Sequence, residues 1–213
     1  MSFILRFIFF VLLIRPIIKI IIGLNVRHRE RIPHQGPMIV ASNHNSHLDV
    51  MVLVSLFPVR LLPKIRPVAA ADYFMRNKIY AWFSTKIIGI IPLSRSHLTH
   101  KTDPLAPIGE ALEKNCIVII FPEGSRGEPE KMSNLRSGIA HIAKRYPEVP
   151  TLPVFLHGLG KILPRNESLF VPFYCDVFIG ETFLWKGDKA QYMDHLQNSL
   201  SELSHEEQLP EWV

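Results

Sequence analysis

The sequence is short of cysteine, with Cys116 and Cys175 its only two in 213 residues and neither in a CxxC pair. Two thiols cannot build a disulfide framework, and a chain of this length buries roughly 70% of its unfolded surface without one. A reducing compartment is the simpler setting. Long uncharged apolar runs are also missing. The longest near the front, Phe7–Ile14, is far below the ~20 residues that a membrane span needs. No internal repeat, low-complexity tract or interdomain linker interrupts the chain. Seventeen prolines exclude a long coiled coil, and eleven glycines without a G-X-Y period exclude collagen. No G-x-S-x-G elbow is present, so a serine hydrolase of that type is excluded. The 24 Lys and Arg against 19 Asp and Glu give a net charge of +5. Those basic residues are scattered and belong to no nucleic-acid module, which argues against nucleic acid as a partner.

What the sequence does have begins with an apolar front end. Residues 3–24 carry only Arg6, Arg15 and Lys19 as charges. Pro16 predicts a break, because it lacks a helical donor unless it sits in a first turn. Two short segments, 3–15 and 16–24, therefore read as a helix pair lying in one leaflet, with the cations snorkelling to anionic head groups. The alternatives are a signal peptide, which lacks its small-x-small cleavage site here, and one tilted span. Arg27, His28, Arg29 and Arg31 follow and favour the cytoplasmic face. The expected division is an anchoring helical segment over 1–25 and one domain over 26–213.

From residue 36 onward short apolar runs alternate with helical patterns. Strands are predicted at Met38–Ser42, Pro67–Ala71, Ile90–Ser94, Cys116–Phe121, Leu152–His157 and Tyr174–Gly180. Helices are predicted at Leu48–Phe57, Tyr73–Ile87, Pro104–Asn115, Leu135–Arg145 and Lys189–Leu203. The continuous run CIVIIF suits a strand covered on both faces. The alternation gives an α/β class, a mostly parallel central sheet flanked by helices.

Chemistry in such folds lies in the loops after the strands. The loop after the first strand holds His44 and, five residues on, Asp49. If His44 is on the loop and Asp49 in the first helical turn, the carboxylate orients the ring and stabilises its protonated form. No protein nucleophile accompanies them, so a base here acts on a substrate hydroxyl. The same spacing also fits a capping aspartate beside a satisfied histidine. A third reading makes His44, His47 and Asp49 the metal ligands of a membrane hydrolase. The loop after the CIVIIF strand holds Glu123, Gly124 and Arg126, and Arg95 follows another strand. Either arginine can present a planar fork to phosphate, or be an ordinary surface charge. The aromatic stretch Tyr73–Phe83 fits either an acyl groove or core packing.

Four stretches, in order, resemble the glycerolipid acyltransferase family, typified by 1-acylglycerol-3-phosphate acyltransferase. They are NHxxxxD (Asn43, His44 and Asp49), Gly89 with Arg95, FPEGSR at 121–126 and VPTLPV at 149–154. The family's third block reads FPEGTR, so Ser125 keeps the hydroxyl, while Gly127 stands where a polar residue is common. The resemblance runs from about residue 36 to 184. Ala71-Asp72, Leu135–Gly138 and Gly160 with Leu163-Pro164 resemble bacterial lysophospholipid acyltransferase domains, which often carry Lys where this chain has Arg136.

The resemblance implies an O-acyltransferase of phospholipid biosynthesis. His44, oriented by Asp49, would take the proton of a lysophospholipid hydroxyl, which attacks an acyl thioester. The motifs place Arg95, Glu123, Gly124 and Arg126 around the acceptor head group. The default acceptor is 1-acylglycerol-3-phosphate, with lysophosphatidylethanolamine and an aminoacyl lipid as alternatives. The scheme needs no metal and no cofactor; acyl-CoA or acyl carrier protein is the co-substrate. Membrane lipids are the expected surroundings, at the cytoplasmic face of a bacterial inner membrane.

Overall fold

The computed structural model describes residues 2–46, 48–74, 77–93, 103–125, 132–162 and 174–206. Among these residues seven strands form one sheet: β1 (Leu24–Arg27), β2 (Met38–Ser42), β3 (Ile65–Ala70), β4 (Ile91–Leu93), β5 (Ile117–Ile120), β6 (Thr151–His157) and β7 (Cys175–Ile179). Their order across the sheet is β1-β7-β6-β2-β5-β3-β4. All neighbouring pairs are parallel except β6 and β7. The predicted class, a mostly parallel sheet between helices, is what the structure shows. β1 has no counterpart among the predicted strands, and the boundary expected at residue 25 falls inside it.

The central strands are apolar throughout because both their faces are covered. Along β2, Met38 and Val40 enter one core while Ile39 and Ala41 enter the other. β5 divides the same way, Ile117 and Ile119 against Val118 and Ile120. This is the two-residue period of a pleated strand. The first core lies under the Asp49–Leu56 helix and the N-terminal residues, with Val52, Leu53 and Leu56 buried against Phe10 and Ile18. The second lies under the helices Ala106–Glu113, Gly138–Arg145 and Lys189–His205, through Ile108, Leu112, Ile139, Leu196 and Leu200.

The front end corrects two expectations. Helical elements follow one another without a gap from Ser2 to Ile22, and no break occurs at Pro16. Pro16 sits in a short α-turn between two π-helical stretches, Phe9–Ile14 and Ile18–Ile22. The wider turns relieve the clash a proline ring makes with the preceding turn. The run ends at Gly23 with φ 61°, a left-handed cap. Arg6, expected to reach head groups, is instead 4% exposed. Its guanidinium donates to the carbonyls of Ile65 at 2.8 Å and Ile88 at 3.0 Å. Arg15 also points inward and donates to the carbonyl of Phe57. One face of the run therefore docks on the domain. Phe3, Ile4, Leu12, Leu13 and Ile20 on other faces are exposed. Among the described residues no helix is long and apolar enough to cross a membrane.

The predicted Tyr73–Ile87 helix is also divided, into Ala71–Phe74, Lys78–Trp82 and a π-helical Phe83–Ile88. Asn77 is the reason for the second start. Its side chain accepts the Ile79 N–H at 2.8 Å, the bond of an N-cap.

Candidate active site

The site stands at the carboxyl ends of β2 and β5, where parallel α/β sheets present their loops. Past Ser42 the chain leaves the sheet. Asn43 fixes the departure: its amide donates to the Leu156 carbonyl at 2.8 Å and accepts the Leu156 N–H at 2.7 Å. The side chain thus acts as one more peptide unit pairing with β6. His44 follows on the loop, and Asp49 opens the next helix.

The two side chains meet. His44 Nδ1 lies 2.8 Å from Asp49 Oδ2, and the same oxygen accepts the N–H groups of Asn45 at 2.7 Å and Ser46 at 2.8 Å. Asp49 is wholly buried. A carboxylate is acceptor-only, so Nδ1 carries the hydrogen of this bond and Nε2 of the neutral ring is the free acceptor. Nε2 makes no hydrogen bond among the described residues. The ring is further fixed by stacking on Phe121, with centroids 4.1 Å apart and planes 22° off parallel. Nothing in the sequence pattern had marked Phe121 for this beyond its place in FPEGSR.

Glu123 is 3% exposed, unusual for a carboxylate. Its Oε1 accepts the main-chain N–H of His44 at 2.8 Å, and its Oε2 that of Ser133 at 2.9 Å. It therefore bridges the loop after β2 and the segment that follows the loop after β5. Gly124 has φ 74°, and a Cβ there would come within 2.9 Å of Arg136 Cδ and Nε. Only glycine suits both the left-handed backbone and the arginine laid over it. Arg136, whose N–H donates to the Pro122 carbonyl at 2.8 Å, thus joins the site from a stretch the family resemblance had marked without a role.

Arg95, Arg126 and His47 lie outside the described residues. Gly89, the glycine six positions before Arg95, has φ 85° and supports the N-terminal run. A Cβ on it would sit 2.5–2.9 Å from the Arg6 guanidinium. Burial pushes the Arg6 guanidinium down to about 10, with the Arg66 charge adding to the effect. Among the described residues no three His, Cys, Asp or Glu side chains cluster to hold a metal.

Comparison with known proteins comes down on one side. The chain is 30% identical over 146 residues to the chloroplastic 1-acyl-sn-glycerol-3-phosphate acyltransferase LPAT1 of Arabidopsis thaliana, covering 68% of this chain and 39% of that protein. It is 24% identical over 157 residues to the human 1-acyl-sn-glycerol-3-phosphate acyltransferase alpha, covering 73% and 53%. The chain thus spans about two-fifths to one-half of the length of these relatives. The crystal structure of the 1-acyl-sn-glycerophosphate acyltransferase PlsC from Thermotoga maritima shares the fold, with a TM-score of 0.70 and 20% identity, over 88% of this chain and 73% of that one. The Acyltransferase family model matches residues 23–157, which hold the His44–Asp49 pair, Glu123 and the strands that carry them, and the chain belongs to that family.

Proposed function

We propose that this protein is a membrane-surface O-acyltransferase that moves a fatty acyl group from a thioester onto the free hydroxyl of 1-acylglycerol-3-phosphate. The observation that carries this reading is the oriented His44–Asp49 pair, with Nε2 free and no hydroxyl or thiol of the chain bonded to it among the described residues. Cys116 and Cys175 are both buried. The nucleophile is then the acceptor itself. Nε2 takes the hydroxyl proton as the oxygen attacks the thioester carbonyl, Asp49 stabilises the imidazolium, and the tetrahedral adduct breaks its C–S bond to expel the thiolate, which takes the proton from Nε2 and leaves as the thiol. No acyl-enzyme is formed. Base catalysis of this kind contributes ~10²–10⁴-fold, and positioning supplies the rest.

Glu123 is a positioning residue in this reading: it holds the His44 main chain. Arg136 brings a guanidinium over the neighbouring loop, where it suits an acceptor phosphate together with Arg95 and Arg126. The acceptor assignment is supported by the names of the relatives. The donor is acyl-CoA or acyl carrier protein, both acidic and matched to a chain of charge +5. The apolar side chains left exposed on the N-terminal run support docking in one leaflet. Ile79, Tyr80 and Trp82, which lead into the segment against which that run packs, are exposed as well.

The test is an acyl-transfer screen over several lysolipids with both donors, using wild type and His44→Ala. Transfer to 1-acylglycerol-3-phosphate that drops by at least ~10²-fold in the variant is expected. Native rates in His44→Ala would remove the base assignment, and a preference for another lysolipid would move the acceptor.

A further inference from the structure

A second feature of the molecule is not used by the reaction. A cavity of about 440 Å³ opens between the end of the N-terminal run, the chain after β1 and the far end of the Asp49–Leu56 helix. That helix rises ~1.5 Å per residue, which puts the cavity about 10 Å along it from the His44–Asp49 pair. Four basic residues line the cavity: Arg15, Lys19, Arg29 and His34. Among the described residues no carboxylate does. The floor is apolar, from Ile18, Ile32, Leu56 and Phe57, all buried.

Clustered cations without a counter-charge repel one another. The Arg15 guanidinium is held below its ordinary value by burial and then by the charge of Arg29. An anion would neutralise the cluster. An apolar floor beneath it calls for a hydrocarbon portion on the same molecule, and the volume is that of an ordinary ligand pocket.

We propose that this cavity seats the head group of an anionic phospholipid, separately from the catalytic site. The phosphate faces Arg15, Lys19 and Arg29, and the acyl attachment lies along Ile18 and Leu56. The proposal rests on the membrane-surface reading of the protein. It gives that reading an orientation, because a lipid held in the cavity fixes which way the catalytic loops face the bilayer. Lys19 and Arg29 are exposed, and their side chains make no hydrogen bond among the described residues, so replacing them leaves the fold in place.

The experiment compares the full chain with Lys19→Gln/Arg29→Gln and with a charge-matched control, Arg60→Gln/Lys86→Gln. The control residues lie on the two segments packed against the start of the N-terminal run, outside the cavity. Flotation uses vesicles of phosphatidylcholine alone and of phosphatidylcholine with phosphatidylglycerol. Wild type should favour the anionic vesicles by about tenfold, the cavity variant should lose that preference, and the control should keep most of it. Equal losses in both variants mean a diffuse surface potential and overturn the proposal. Binding to neutral vesicles without an anionic preference removes the proposal alone; binding to neither vesicle removes the membrane reading and the lipid seat with it. A second readout uses short-chain, monomeric phosphatidylglycerol. It should raise the melting temperature of wild type but not of the cavity variant. An equal rise with inorganic phosphate identifies a free-anion site and overturns the lipid assignment.

Discussion

Replacing Glu123 by Gln separates a residue that positions the base from one that binds the acceptor. The carboxylate is 3% exposed and takes two main-chain hydrogen bonds, 2.8 Å from His44 N and 2.9 Å from Ser133 N. Bonds to a charged acceptor are worth ~1.5–3 kcal/mol each. Gln keeps one acceptor oxygen and turns an NH₂ group toward the other N–H. One bond is lost, the second becomes neutral, and a buried donor is left without a partner. The expected loss is about 2–4 kcal/mol, a midpoint lower by about 4–16 °C for a chain of this size. Because one of the two donors is His44 itself, the imidazole moves with its main chain, and an ångström of misplacement costs ~10²-fold in rate. Thermal unfolding paired with steady-state kinetics reads both effects. Positioning predicts a lower midpoint and a lower kcat with an acceptor KM changed by less than about threefold. An unchanged midpoint with a KM raised tenfold or more would show Glu123 binding the head group directly and would refute its positioning role.

Other changes have equally definite outcomes. Arg6→Leu strips two buried carbonyls, those of Ile65 and Ile88, of their donor. Urea unfolding should register a loss of about 2–5 kcal/mol, and an unchanged midpoint would mean that the N-terminal run does not dock through Arg6. Gly124→Ala forces a side chain into a left-handed backbone and against Arg136, costing at least ~1–2 kcal/mol; a neutral result by differential scanning calorimetry would contradict the geometry. Tyr192 is buried, its hydroxyl 2.7 Å from Thr151 Oγ1, and burial pushes it up to about 12 from 10. A proton held more tightly in the folded state means stability that is complete below pH 10 and is lost as pH rises toward 12. That loss, about 2–3 kcal/mol at most, should be reduced in Tyr192→Phe, and identical pH profiles for the two proteins would count against it.

Much of the fold was legible because burial on both faces writes itself into a strand. MIVAS and CIVII are apolar at nearly every position, and β2 and β5 form there. β1 was not legible, since LNVR mixes polar and apolar residues and becomes a strand only by pairing with β7. The direction of β7 was hidden too, because parallel and antiparallel pairing ask for the same side chains. At the site, the five-residue spacing of His44 and Asp49 showed that they could meet. It did not say that Asn45 and Ser46 would add two more hydrogen bonds to the same carboxylate oxygen.

The front end shows the division most clearly. Composition alone determined that residues 3–24 are too apolar for water and too interrupted by charge for a simple span. Which charge faces where was a tertiary matter. A guanidinium goes to head groups or to protein carbonyls according to what lies within its reach. Arg6 finds the carbonyls of Ile65 and Ile88 at a place kept open by Gly89, residues 59 to 83 positions away in the chain. Sequence determined that His44 and Asp49 could pair and marked the strands that carry them. The tertiary structure decided that Glu123 ties the histidine loop in place and that Arg6 belongs to the interior, because both bonds depend on groups that only folding brings together.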